Sequence, residues 1–169
     1  MRRSLIVVTA VVALAGCASA WNTAGKNVAP QGAGFTVVDI RPGDGTYLGQ
    51  VRANVRRADS LGQTPYIELT ANWCGPCQAI AKSLGDSAVM GALRGTYIMR
   101  VDVDRWATLN GDPLSRAIPV IIALDSTGEW TNRRMIGVPS KPREMAAAFD
   151  HFFHPIGPMP SPATGRAGR

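Results

Sequence analysis

The chain has 169 residues, of which 46% are hydrophobic and 18% are charged, and 18 Lys and Arg against 12 Asp and Glu leave a net charge of +6. This length and composition favour one compact domain with short appendages, and they exclude a collagen-like or wholly disordered chain. The longest apolar run is too short to span a bilayer, no long repeat is present, and the basic residues form no nucleic-acid motif. We therefore expect neither an integral membrane protein, nor a solenoid, nor a nucleic-acid partner.

The N-terminus has the pattern of an export signal. A short basic start is followed by an uncharged apolar run over residues 5–14 and then by small residues, which predicts a secretory signal peptide over residues 1–16. The tetrapeptide Leu14-Ala15-Gly16-Cys17 resembles the lipobox of bacterial lipoproteins. That resemblance implies a lipid on Cys17, with residues 17–34 as a lipidated N-terminus and flexible tether at a membrane surface. The alternative is an ordinary cleaved signal with Cys17 nearby.

Residues 35–154 have the periodicity of an α/β domain. Alternating or buried apolar runs predict strands, and apolar residues spaced three and four apart predict helices. The predicted strands cover residues 35–40, 65–70, 96–103, 119–124 and 129–136, and the predicted helices cover 46–61, 78–84, 88–93 and 141–153. Residues 104–117 are expected to be a long connection with a turn at 110–113. The order predicts a central mixed β-sheet flanked by helices, with a disordered Pro/Gly-rich tail over residues 155–169.

Two cysteines remain if Cys17 carries lipid. Cys74 and Cys77 are three residues apart, and an even pair in an exported protein usually forms a disulfide. A loop this small constrains the unfolded chain very little, so a structural crosslink explains the pair poorly. A reactive dithiol explains it better.

The segment around these cysteines resembles the thioredoxin active site. An acid, Glu68, stands six residues before Cys74, Trp73 precedes it, and Cys-Gly-Pro-Cys leads into a predicted helix. The resemblance covers about residues 35–153 and includes Ile118-Pro119, where the family keeps a cis-proline. The Asp-Val-Asp run at residues 102–104 also looks like the C-terminal domains of envelope reductases. Thr70, Gln78 and Glu68 itself depart from the commonest family residues.

The resemblance implies a thioredoxin fold and a role for each site residue. Cys74, at a helix N-terminus that stabilises negative charge, is expected to be the nucleophile, and Cys77, one turn in and more buried, the resolving cysteine. Glu68 would accept the Cys77 proton, with Arg100 as its partner. The other implied site residues shape the turn, present substrate backbone or form a landing surface: Gly75 and Pro76, Ile118 and cis Pro119, and Trp73. An exposed Glu68 without a role, and plain packing of Trp73, remain alternatives.

These observations predict a thiol-disulfide oxidoreductase of the bacterial cell envelope. It would lie on the periplasmic face of the outer or inner membrane, reduce protein disulfides, receive electrons from a membrane protein, and need no cofactor or metal. An oxidase or isomerase remains possible because the compartment is oxidising, as does a non-catalytic lipoprotein with this fold. A zinc site of Cys74, Cys77, His151 and His154 has superficially suitable spacing but places both histidines at the end of the last helix.

Overall fold

The computed structural model describes residues 34–109 and 111–155. The predicted signal peptide and the predicted lipid site at Cys17 lie outside these residues, as do nearly all of the predicted tether and tail. Among the described residues, no helix has both the length and the apolar character that a membrane crossing requires.

Five strands form one mixed sheet, as predicted. They are β1 (Thr36–Ile40), β2 (Thr64–Thr70), β3 (Thr96–Asp102), β4 (Val120–Leu124) and β5 (Trp130–Ile136). Their order across the sheet is β1-β3-β2-β4-β5. The strands β1, β3 and β2 are mutually parallel, whereas β4 runs antiparallel to β2 and β5 antiparallel to β4. The final antiparallel pair, β4 and β5, forms a hairpin.

Four helices flank the sheet close to their predicted positions. They are α1 (Tyr47–Ser60), α2 (Gly75–Ser83), α3 (Ser87–Ala92) and α4 (Pro142–Phe153). The hydroxyl of Thr46 caps α1 by accepting the backbone N–H of Gly49, and the carboxylate of Asp86 caps α3 in the same way. Both are residue types that helix N-termini prefer because a side-chain oxygen satisfies a free backbone N–H.

Alternation along the strands divides the core into two clusters, one on each face of the sheet. Ile67 and Leu69 of β2 pack with the buried side of α1, in the cluster that also holds both cysteines. Tyr66 of β2 points the other way and packs with α3 and α4, where Phe153 meets it ring edge to face at 4.8 Å between centroids. Helices therefore cover both faces, as an α/β fold requires.

The long connection before β4 is more ordered than its sequence predicts. It contains three short 3-10 segments, Val103–Arg105, Ala107–Leu109 and Pro113–Arg116. Trp106 and Leu109 are buried and anchor it to the core, and the indole Nε1–H of Trp106 donates to the carbonyl of Ile40 at 3.3 Å. These contacts join the connection to residues outside it, so patterns within the connection alone could not predict them.

Candidate active site

The two cysteines lie at the start of α2, shortly after the end of β2. Cys74 is the N-cap of α2, with an extended backbone, and its Sγ accepts the backbone N–H of Cys77 at 3.2 Å. Pro76 occupies the first turn, where a missing N–H breaks no helical hydrogen bond. The Gly-Pro spacer thus starts the helix while leaving the Cys77 N–H free to face the Cys74 sulfur.

Cys74 and Cys77 form a disulfide, with an S–S distance of 1.99 Å and a Cα–Cα distance of 5.2 Å. Each residue is only 3% exposed. The expectation that Cys77 would be the more buried of the two is therefore wrong for the oxidised protein. The reason is that the disulfide joins the two sulfurs, and both cysteines belong to the same core cluster. What distinguishes them is the N-cap position of Cys74, not exposure.

Trp73 forms an exposed surface immediately before the disulfide. Its side chain is 65% exposed, which is inconsistent with a role in core packing. The indole Nε1–H donates to Oδ2 of Asp104 at 2.7 Å, which fixes the ring over the start of the long connection. A cavity of about 390 Å³ lies between Trp73, Asp104 and Arg116.

The Ile118-Pro119 peptide bond is cis, as predicted. Leu69 of β2 is paired with Val120 of β4, so Pro119 lies level with the end of β2, from which the chain continues to Cys74. Ile118 packs against the cluster that holds the disulfide. The sheet register therefore brings the two predicted substrate-contacting residues to the same edge as the cysteines.

A row of polar side chains crosses the sheet behind the disulfide. Glu68 of β2 is in register with Arg100 of β3, which is in register with Asp39 of β1. The guanidinium of Arg100 donates from Nη2 and Nε to Oδ1 of Asp39, at 2.6 and 2.9 Å. Oδ2 of the same carboxylate accepts from Nη2 of Arg41 at 3.0 Å.

Arg100, the predicted partner of Glu68, lies beside it in the register of β2 and β3 and its charge acts on Glu68, but its salt bridge is made elsewhere. Among the residues that the structure describes, the ion-pair partner of Arg100 is Asp39. The side chains of Arg100 and Asp39 are 24% and 22% exposed, whereas Glu68 is 3% exposed. Because removing a charge from water is costly, an ion pair with the more exposed Asp39 is favoured over one with buried Glu68.

Burial raises the pKa of Glu68 from its ordinary 4.5 to about 7. The positive charge of Arg100 opposes this increase, and the negative charge of Asp39 adds to it. The burial of the side chain contradicts the alternative of an exposed Glu68. Glu68 is thus a buried carboxyl that exchanges its proton near neutral pH.

A cleft of about 410 Å³ connects this row with the disulfide. Its lining includes Asp39 and Arg100 of the row together with Thr70, Cys77 and Gln78, whereas Glu68 does not line it. This volume holds several water molecules, and its walls offer polar groups to bind them. The cleft therefore extends to the Cys77 side of the disulfide, although Cys77 itself is only 3% exposed.

Comparison with known proteins points to one family. No family model matches the chain. A curated thioredoxin from Aspergillus fumigatus is 28% identical over 71 residues, which are 42% of this chain and 63% of that protein. The chain thus spans less than two thirds of the curated relative. The strand order, the Cys-Gly-Pro-Cys disulfide at a helix N-terminus and the cis-proline agree with this similarity. The chain has a thioredoxin-like fold.

Solved thioredoxins resemble it at low identity. The thioredoxin of Nicotiana alata is 16% identical, with 69% of this chain and 91% of that chain covered and a TM-score of 0.45. That of Trichomonas vaginalis is 20% identical, with 69% and 96% covered and a TM-score of 0.45. The thioredoxin of Malassezia sympodialis is 23% identical, with 69% and 92% covered and a TM-score of 0.41.

The alternative zinc site is not assembled in this thioredoxin-like protein. Across residues 34–109 and 111–155, no three His, Cys, Asp or Glu side chains are grouped so that they could hold a metal ion. His151 belongs to α4, and Nε2 of His154 lies 3.2 Å from the carbonyl oxygen of Ala92 at the end of α3. The histidines lie at the pair of helices α3 and α4, on the opposite face of the sheet from the cluster that holds the cysteines. The cysteines are bonded to each other.

The sequence did not reveal two contacts of the candidate site residues, made by Asp39 and Asp104. Asp39 is an acid within an otherwise apolar strand, on the same face as Arg100, but the parallel register that joins them cannot be read from either segment alone. Asp104 was noted only as part of an Asp-Val-Asp run, and its hydrogen bond to Trp73 depends on the fold of the long connection.

Proposed function

We propose that this thioredoxin-like protein is a thiol-disulfide oxidoreductase of the bacterial cell envelope that reduces protein disulfides. The observation that carries the proposal is the Cys74–Cys77 disulfide at the N-terminus of α2, with the Cys77 N–H donating to the Cys74 sulfur. In the reduced protein the same N–H and the helix dipole stabilise a thiolate on Cys74, which is the reactive form of a cysteine.

The reaction transfers two electrons from the dithiol to the substrate. The Cys74 thiolate attacks one sulfur of the substrate disulfide, forms a mixed disulfide and displaces the first substrate thiolate. Cys77 then loses its proton and attacks the Cys74 sulfur, which re-forms the Cys74–Cys77 bond and displaces the second substrate thiolate. The substrate is reduced, and the protein returns to the oxidised form described above.

Glu68 is the proposed acceptor of the Cys77 proton. A general base works best when its pKa lies near the operating pH, and that of Glu68 is about 7. The cleft beside Cys77 is also lined by Arg100 and Asp39, the neighbours of Glu68 in the polar row, and it has room for a water molecule. Proton transfer directly or through that water fits the observed burial.

The proposed substrate surface consists of exposed Trp73 on one side and Ile118-Pro119 on the other. Trp73 offers an apolar, rigid face of the kind that is enriched where proteins bind one another. The backbone of Ile118, at the start of β4, would hold an extended substrate segment beside the disulfide. Gly75 and Pro76 are exposed between them and leave the approach open.

The enzymatic proposal is tested by insulin reduction with dithiothreitol as the electron donor. We expect precipitation of the insulin B chain at a rate that rises with protein concentration and is abolished by Cys74→Ser. Cys77→Ser should instead accumulate a mixed disulfide, because the nucleophile remains and the resolving thiol is absent. Equal activity of wild type and Cys74→Ser would contradict the proposal and favour a non-catalytic lipoprotein.

The direction of electron flow is tested by the reduction potential of the Cys74–Cys77 couple. A value near about −270 mV, typical of reducing thioredoxins, supports a reductase fed by a membrane electron donor. A value near about −120 mV would indicate an envelope oxidase, and one near about −180 mV an isomerase.

The proposed location depends on the lipobox-like segment ending in Cys17. Expression in a bacterial host with labelled palmitate should transfer label to the wild type and not to Cys17→Ser. Label at equal levels in both proteins, or in neither, would contradict the lipid anchor.

A further inference from the structure

The polar row behind the disulfide contains one cation between two carboxylates. Arg100 is in register with Glu68 on one side and with Asp39 on the other, so its guanidinium can reach either neighbouring strand. Both of its hydrogen bonds in the described structure go to Asp39. Glu68, although buried, receives no hydrogen bond or ion pair from any described residue.

We propose that Asp39 is a positioning residue for proton transfer at Glu68: it holds the Arg100 guanidinium on the β1 side of the row and so keeps Glu68 free to take up a proton. This inference rests on the proposed function of Glu68. The Asp39 carboxylate accepts its hydrogen bonds from Arg41 and Arg100, so it positions Glu68 chemistry through Arg100.

The geometry of the hydrogen bonds from Arg100 to Asp39 makes their interaction strong. Two donor nitrogens converge on Oδ1 of Asp39, and charge-assisted bonds of this length are stronger than neutral ones. Arg41 occupies the other oxygen, so the carboxylate is fixed from both sides. The Asp39 carboxylate therefore has a defined orientation, and the guanidinium of Arg100 is directed away from Glu68.

Among the described residues, few charged groups act on Glu68. On β1 and β3 the charged groups that act on it are Asp39 and Arg100. The strand β4 presents the apolar Ile121 in register with it. From α2, Cys77 lines the adjoining cleft and adds a titratable thiol when the disulfide is reduced. In the oxidised protein, the pKa of Glu68 is thus set by burial and by the charges of Asp39 and Arg100.

Replacing Asp39 and replacing Arg100 should shift the pKa of Glu68 in opposite directions. Asp39→Asn removes the negative charge and releases the guanidinium towards Glu68, and a nearby positive charge stabilises the ionised carboxylate. Arg100→Met removes the opposing positive charge, so that burial acts alone. The pKa of Glu68 should therefore fall in the first variant by about one unit or more and rise in the second.

The test is a carbon NMR titration of the Glu68 side-chain carboxyl in the oxidised full-length protein, with the resonance assigned by its absence in Glu68→Gln. Glu129→Gln is the matched control, because it neutralises an exposed carboxylate that faces Arg52 at 4.0 Å elsewhere in the fold. Asp39→Glu, which retains the charge, should restore the wild-type titration. The pH midpoint of insulin reduction should move down in Asp39→Asn and up in Arg100→Met.

Loss of packing alone would move both variants towards an ordinary glutamate. A shift in the same direction in Asp39→Asn and Arg100→Met, or shifts no larger than that of Glu129→Gln, would overturn the inference. So would opposite NMR shifts without a movement of the pH midpoint in an active protein. Opposite NMR shifts in a protein that reduces no insulin would instead refute the proposed function while leaving the control of Glu68 by Asp39 established.

Discussion

Replacement of Glu68 by Gln should remove a large pH dependence of stability. The carboxyl is 3% exposed, and its pKa is raised to about 7 from the ordinary 4.5. The folded protein therefore holds this proton more tightly than the unfolded chain does. Stability linked to it is fully present below pH 4.5 and is lost as the pH rises through about 7.

The size of the effect follows from the two pKa values. The gap between 4.5 and about 7, at about 1.4 kcal/mol for each pH unit, corresponds to about 3 kcal/mol. That is a substantial fraction of the 5–15 kcal/mol by which a typical domain is stable. Glutamine has a similar shape and no titration, so the variant should not lose this contribution.

The assay is urea unfolding of the oxidised protein at several values of pH between 4 and 8.5. Subtracting the wild-type free energy of unfolding from that of Glu68→Gln removes the contributions of all other groups, such as Asp125, whose pKa is lowered by hydrogen bonds in its turn. We expect the variant to gain on the wild type by about 3 kcal/mol from the low to the high end. Parallel curves would refute the reasoning, and Glu129→Gln should produce them.

Two further predictions concern the turn before β5 and the substrate surface. Gly128 has a φ of +89°, and a Cβ there would lie 3.1 Å from Cγ1 of Val51. Gly128→Ala should therefore lower the free energy of unfolding by about 1–2 kcal/mol, measured in urea against the unstrained control Gly85→Ala. Equal free energies of unfolding in the two variants would contradict the strain. Trp73→Ala should raise KM for insulin several-fold while changing stability by less than about 1 kcal/mol, because the side chain is 65% exposed; an unchanged KM would exclude Trp73 from substrate binding.

The elements and the reactive pair could be predicted from sequence because their signals are local. Apolar alternation in β2, the Thr46 cap of α1 and the Cys-Gly-Pro-Cys opening of α2 each depend on a few adjacent residues, and each is present in the structure. The cis Ile118-Pro119 bond was predicted on resemblance to a family motif and is also present. The sequence left both a buried and an exposed Glu68 open, and the structure buries it within β2.

The choice of partners for the buried charges was decided only by the tertiary structure. Arg100 lies level with Glu68 and with Asp39, 61 residues away in sequence, and which carboxylate it binds depends on strand register and on the water that remains at each site. The equal burial of Cys74 and Cys77 and the ordered connection around Trp106 likewise depend on contacts between distant segments. A single sequence specifies local conformation through neighbouring residues, whereas the energy of a charge depends on everything that surrounds it in the folded chain.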